Sequence, residues 1–479
     1  MRPRVPDHAS PSPRINVSLL ALGPLVAAMI IVFGSAVGVA GLGLQQCAAS
    51  TAAGQINVKQ YGARGNGSAN DTAAFIKAMS AAVLESLQLY VPTGNYRVDT
   101  LTLPDGLIMR GAGSKASWIR GGVVFGSNGR IRGLKLGRAG YSMRNGANAS
   151  NTRFTACRFR GGGGALPGVN SCVVQLGNAW SCDHITFRDC LFERSFGIED
   201  SDYSTCFNDI GLVENGASAE GAHLDSITFD GCHIGVSNGR TDIPRNIGSP
   251  RMGLECFTWD GGDGIASHGW SNIGVIDCVF EGADMCTLDL ADSVDSSGQH
   301  VSGPALIHGC TLKGGGYDGR YWGYAICCEA PRDVVIENNI FYRAHDITLA
   351  VSWSRGVNTS GYVIRNNVFA LDVNNGITPG PYSMVLLRGR DHTFTGNTIT
   401  TNRGSTVLEL QEFSNGIVTG NTLNELRSRN APSALQIYNV TGTTVTGNTF
   451  RTAASTDPVI YHAGTNTNNT ISDNVFLHK

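Results

Sequence analysis

Charge is scarce in this chain of 479 residues: only 15% are Asp, Glu, Lys or Arg, and the formal net charge at pH 7 is -2. A balance so near zero gives no basic field, so nucleic acid is not expected as a partner. Helical periodicity is also lacking over the second half of the sequence, which excludes leucine-rich and βαβ arrays. The cysteines show no metal-ligand spacing, so the sequence predicts neither a structural metal nor a cofactor. Cys172 and Cys182 could close a loop in an oxidising compartment, but a chain of this size has core enough without disulfides. Glycine is plentiful instead, with 62 residues. High glycine with low charge suits a turn-rich, all-β protein rather than a disordered one.

A short phrase returns through the second half. It reads Asn338-Asn339-Ile340-Phe341, Asn366-Asn367-Val368-Phe369, Gly396-Asn397-Thr398-Ile399, Gly420-Asn421-Thr422-Leu423, Gly447-Asn448-Thr449-Phe450 and Asp473-Asn474-Val475-Phe476. The asparagine in the second place of each recurs at intervals of 24 to 30 residues, a solenoid period. Upstream, cysteine takes the same frame in Cys157-Arg158-Phe159, Cys190-Leu191-Phe192, Cys232-His233-Ile234, Cys278-Val279-Phe280 and Cys310-Thr311-Leu312, at intervals of up to 46 residues. The wider intervals imply loops inserted at about 160–330, and in a solenoid such insertions gather on one face, often the binding face.

Short β-prone runs such as Val334-Val335-Ile336, Tyr362-Val363-Ile364 and Ile417-Val418 precede each Asn or Cys turn. Coils of about two dozen residues holding only short strands are the pattern of a parallel β-helix. The fold class read here is all-β: a single-stranded right-handed parallel β-helix over 114–479, with an N-terminal capping α-helix and first coils over 56–113. Buried asparagines can hydrogen-bond along such a ladder, while cysteine fills the slot as a small apolar residue.

The amino terminus reads as an address. Residues 1–16 carry Arg2, Arg4 and Arg14 as a cytoplasmic flank, 17–44 form an apolar run long enough to span a bilayer, and 45–55 are a linker. A signal anchor and a cleaved signal peptide both fit, so the chain is expected outside the cell or at its surface, with the membrane as a partner through this segment.

Between address and solenoid lies Ile56-Asn57-Val58-Lys59-Gln60-Tyr61-Gly62-Ala63-Arg64-Gly65-Asn66-Gly67, then Asn70-Asp71-Thr72, with Phe75, Ile76, Met79, Ala82 and Val83 at helical spacing. Asp71 is placed as N-cap of an amphipathic helix that would close the end of the β-helix. With Leu89-Tyr90-Val91-Pro92-Thr93-Gly94 and Met109-Arg110-Gly111-Ala112-Gly113, this run resembles the amino-terminal signature of the pectate-lyase-like superfamily. The resemblance implies the β-helix fold and a polysaccharide partner, allows a homotrimer, and leaves the reaction open. The Asn-x-Asp, Asp-Asp and Gly-His-Gly set of the polygalacturonases has no match; Gly261-Gly262-Asp263-Gly264 with His268-Gly269 is a faint echo of it.

Carboxylates between apolar neighbours are the candidates for chemistry. Glu255, Asp289 and Glu329 are read as outward-facing residues stacked on successive coils, with Arg388, Gln411 and Tyr438 continuing their column. Neighbouring carboxylates would stand roughly 5 Å apart, and those two coils apart roughly 10 Å, which brackets the separations used by retaining and inverting glycosidases. Asp260 and Asp263 are substitutes for the same roles. Trp259, Trp270, Trp322, Trp353, Tyr321, His268 and Arg388 supply aromatic and polar groups for substrate binding. The acids could alternatively hold Ca²⁺, with a lyase or epimerase reaction in place of hydrolysis. A glycan-binding adhesin or tail-spike-like protein, with no catalysis, is the reading from another class.

Overall fold

The computed structural model describes residues 54–137, 143–145, 147–160, 174–176, 181–193, 210–211, 223–236, 254–256, 269–280, 286–290, 302–312, 324–328, 332–342, 347–351, 359–370, 383–401, 406–426, 433–452 and 459–478. The proposed anchor at 17–44 and its flanks lie outside them. Among the described residues no helix is long and apolar enough to cross a membrane.

Strand pairing is parallel throughout, between each coil and the next. The described strands form sheets of fifteen, seventeen, nine and four members. One coil shows the plan. Tyr324–Cys328 belongs to the nine-stranded sheet, Val334–Glu337 to the fifteen-stranded and Ile340–Tyr342 to the seventeen-stranded. The chain then returns to the nine-stranded sheet with Leu349–Val351, which pairs with Tyr324–Cys328. This is a parallel β-helix; right-handed coiling is the sense that parallel crossovers adopt.

Two of the junctions in each coil are tight. Before the fifteen-stranded sheet stands a residue in the left-handed region, such as Asp333, Asp391 or Asn415, and after it another, such as Asn338, Asn366 or Gly396. Glycine, Asn and Asp hold most of these places because few other side chains tolerate φ near +55°, although His184, Ser226 and Ala156 take three of them. The residue after the second turn is the ladder residue. Asn367 donates Nδ2–H to the Ile336 carbonyl at 2.8 Å and to Asn397 Oδ1 at 3.0 Å, and its own N–H donates to Asn397 Oδ1 at 2.9 Å. Asn339, Asn397, Asn421 and Asn448 repeat this arrangement. Every buried amide in the row is therefore satisfied, which burial requires.

The cysteines do more than fill space. Cys157, Cys190, Cys232, Cys278 and Cys310 each donate S–H to a carbonyl of the preceding coil at 3.3 to 3.6 Å, as the asparagine amides do. All five are buried, as is Cys182; Cys172, considered as its partner, lies outside the described residues. Behind the ladder, Phe154, Phe187 and Phe229 stack in register at centroid distances of 5.2 and 5.0 Å.

The amino-terminal helix, Thr72–Leu84, covers the first coil with Ala74, Phe75, Ala78, Met79 and Ala82. Phe75 packs edge-on against Tyr96 at 5.4 Å. Ile76 and Val83, expected on the buried face, are instead 51% and 42% exposed, because the inward stripe runs through the alanines. Asp71 is at the N-cap position, yet its carboxylate accepts from the Arg64 and Gly65 amides at 2.7 and 3.1 Å instead of capping the helix. Asn70 Oδ1 takes the Thr72 amide instead, at 3.0 Å. Gly65 must be glycine: its φ is +63°, and a Cβ would lie 2.7 Å from the Tyr96 ring.

Candidate functional site

The nine-stranded sheet brings two of the sequence-predicted acids together. Leu254–Cys256 pairs in parallel with Cys286–Leu290, and the register sets Glu255 opposite Asp289. Paired strands lie about 4.8 Å apart, so these are neighbouring positions on consecutive coils. Leu288 and Leu290 are wholly buried, and strand alternation gives the position between them to the outer face of the sheet. On the preceding coil Gly211 is opposite Glu255, so the pair is bounded on that side by a residue without a side chain.

On the next coil the position opposite Asp289 belongs to Cys327, two residues short of Glu329, which itself lies outside the described residues. From Cys327 the column passes to Ala350, Leu386, Glu409 and Gln436. Arg388, Gln411 and Tyr438 belong to a parallel column two residues along the strand. A slip of two leaves the inward and outward pattern unchanged, so alternation alone could not detect it. The acidic column thus ends at Asp289 and gives way to an apolar stretch: Cys327, Ala350 and Leu386 are at most 5% exposed and form a small cluster with Tyr324 and Ile347.

The missed member is Glu409. It occupies the Glu255–Asp289 column four coils beyond Asp289 and accepts from the Ser383 hydroxyl. Its signal was the run Leu408-Glu409-Leu410, the same pattern as Leu288-Asp289-Leu290. At four coil spacings, about 19 Å, it is too distant to act with Asp289 on one bond.

Arg388 is held away from that column. Its Nε donates to Gln411 Oε1 at 3.0 Å, and its carbonyl accepts Nε2–H of His392 at 2.8 Å. His392 is packed between Tyr362 and Phe413 and takes the Tyr362 amide on Nδ1 at 3.0 Å. Burial pulls its imidazole down to about 4, so at neutral pH it is the uncharged tautomer with the proton on Nε2.

Trp270 is not a substrate platform. It stands in register with Leu224 in the four-stranded sheet and is 0% exposed. Sequence type alone does not separate a core tryptophan from a groove one; strand position does. Trp259, Trp322, Trp353, Tyr321, His268, Asp260 and Asp263 lie outside the described residues.

One further cluster sits beside Trp270. Asp183, His184 and Asp225 each bring a ligand atom within 4.8 Å of the others. Asp183 and Asp225 are stacked in register, His184 pairs with Asp183, and Asp225 accepts from Ser271 and, at 2.7 Å, from Asn272. These contacts engage the carboxylates within the turn. This cluster is separate from the Glu255–Asp289 column at which Ca²⁺ was considered.

Residues 55–283 match the family model described as rhamnogalacturonase A/epimerase, pectate lyase-like. No curated protein matches the chain. Among solved structures, the Dettilon tailspike protein is similar at 13% identity, with a TM-score of 0.49 over 85% of this chain and 68% of that one. The Streptococcus pneumoniae surface protein and adhesin PfbA aligns at 15% identity and a TM-score of 0.47, over 89% of this chain and 100% of that one. The catalytic unit of the GH87 α-1,3-glucanase from Streptomyces thermodiastaticus strain HF3-3 aligns at 12% identity and 0.41, over 89% and 71%.

Proposed function

We propose, from the premise that the chain belongs to the pectate-lyase-like superfamily of parallel β-helix proteins, that it is an exported protein that hydrolyses glycosidic bonds of an extracellular polysaccharide. The observation that carries this reading is the register of Glu255 opposite Asp289. Paired strands lie about 4.8 Å apart, so acids at these two positions would have the spacing of the retaining mechanism. One of the two, protonated, would donate its proton to the leaving glycosidic oxygen as the bond to the anomeric carbon breaks. The other, ionised, would attack that carbon to form a glycosyl ester, which water then hydrolyses with the first carboxylate acting as base.

The test is turnover on a panel of polysaccharides, read as reducing ends and as ultraviolet absorbance of unsaturated uronates, with Glu255→Gln and Asp289→Asn alongside. New reducing ends without the absorbance, lost by at least a hundredfold in both variants, support hydrolysis. Absorbance in place of plain reducing ends would assign a lyase. Unchanged turnover in both variants would remove the pair from the chemistry. The adhesin reading predicts glycan binding with no product at all.

A further inference from the structure

The near-zero net charge conceals a strong asymmetry. Between Arg97 and Arg160 the sequence has twelve Lys and Arg residues against two Asp, so the remainder of the chain is markedly acidic. The fold concentrates part of this excess on the seventeen-stranded sheet. There the register runs Asn95, Trp118, Lys135, Arg158 on four successive coils. Two residues along, Arg97 is opposite Arg120. Lys135 Nζ lies 4.5 Å from the Trp118 ring centroid, and the Arg120 and Arg160 guanidinium carbons are each 5.9 Å from it. On the adjoining fifteen-stranded sheet, Arg130 stacks on Arg153 and Arg110 on Arg132. Like charges stacked directly across neighbouring strands repel one another, and an anion between them relieves that repulsion. Among the described residues, Glu193 stands in register opposite Arg160.

Two further observations favour a ligand over a merely solvated face. Asn95 Oδ1 and Trp118 Nε1, adjacent in the same row, are buried polar atoms with no hydrogen-bond partner, which is costly unless a partner arrives. The Lys135 ammonium is also pulled down to about 8, by burial first and then by Arg160 and Arg158. A bound anion would reverse that second cause.

We propose that the face formed by Asn95, Trp118, Arg120, Lys135, Arg158 and Arg160 binds an acidic polysaccharide through its carboxylate or sulfate groups, at a site distinct from the Glu255–Asp289 pair. Guanidinium groups meet such oxyanions with paired hydrogen bonds. Cationic rows one coil apart, about 4.8 Å, repeat at a distance comparable with one pyranose ring, so successive charged sugars can meet successive coils. Nucleic acid fits less well. Trp118 is the one aromatic in the patch, and cations already flank it, so there is no row of platforms on which bases could stack. The inference rests on the reading above only in taking the partner to be a glycan.

Affinity electrophoresis of the full chain through gels holding polygalacturonate, dextran sulfate, neutral dextran or single-stranded DNA tests it. The wild type is expected to be retarded by at least one acidic glycan and not by dextran, with retardation weakening as salt rises. Lys135→Glu combined with Arg160→Glu should weaken retention at least tenfold, and Lys135→Gln, a milder change, should weaken it measurably. Glu255→Gln and Asp289→Asn should leave retention unchanged, which separates this site from the proposed chemistry. Equal retardation by neutral dextran, no retardation by either acidic glycan, tighter retention by DNA, or full retention by the charge-reversed double variant would each overturn the proposal.

Discussion

The amide of Cys310 donates to Asn339 Oδ1 at 2.8 Å, and at this contact the cysteine ladder passes into the asparagine ladder. The two residue types hold the same place but not the same number of bonds. Cys310 offers only its single S–H, shared between the His308 carbonyl at 3.3 Å and the Val275 carbonyl at 3.4 Å; Asn339 donates to Ile307 and Asn367 and also accepts from Cys310.

The two ladders should therefore respond differently to truncation. Asn397→Ala removes the acceptor of the Asn367 amide and one donor to the Ile364 carbonyl in the core, where an orphaned group costs about 1–3 kcal/mol. Cys190→Ala removes one weak S–H donor and a little volume. Urea denaturation should show the asparagine variant to be the less stable by at least about 2 kcal/mol; equal losses would mean that the amide network adds nothing beyond packing.

His392 makes stability depend on pH in a defined window. Its imidazole is neutral in the folded chain down to about 4, whereas an unfolded histidine titrates near 6.5. Because the unfolded state binds the extra proton between those values, this contribution is complete above about 6.5 and is lost as pH falls towards 4, to a total on the order of 3 kcal/mol. His392→Phe should be less stable at pH 7, since Tyr362 N–H loses its acceptor, and its denaturation midpoint should fall less between pH 7 and 4.5 than that of the wild type. An identical fall in both chains would exclude His392 as the source.

Trp270→Ala should cost about 3–5 kcal/mol of stability, the loss expected for emptying a large core site. Trp270→Phe, which keeps most of that volume, should bind any glycan as the wild type does in isothermal titration. A glycan affinity lowered tenfold in a folded Trp270→Phe protein would return this residue to the binding surface.

Removing the Asp71 carboxylate should loosen the amino-terminal cap first. Asp71→Ala frees the Arg64 and Gly65 amides, both now held by that side chain. Hydrogen exchange should accelerate across Thr72–Leu84 while the ladder amides of Asn397 and Asn421 stay protected. Uniform acceleration through all the coils would instead show that the cap opens only with the whole solenoid.

Much of this architecture was legible from spacing. The Asn339 to Asn474 row announces itself because one residue type has to recur wherever the same turn places a buried amide. The neighbours of Glu255 were less accessible. Leu288-Asp289-Leu290 and Leu408-Glu409-Leu410 carry the same signal, and only the register shows that the first sits beside Glu255 and the second four coils away. The place opposite Asp289 falls to Cys327, two residues before Glu329, a difference that alternation cannot register. The cationic face was hidden for another reason: averaging charge over the whole chain cancels an excess that three or four stacked coils bring together.

The left-handed turns on either side of the fifteen-stranded sheet divide the chain into text that cannot be edited and margins that can. A residue added at Asp333 or Asn338 would shift a strand against both neighbours and displace a ladder amide. The connection from the seventeen- to the nine-stranded sheet differs in length between coils, running from Tyr342 to Leu349 in one and from Ala370 to Val385 in the next, and doubling the length of a loop costs only about 0.6 kcal/mol. New recognition elements can therefore accumulate at that junction, coil by coil, without renegotiating the spine.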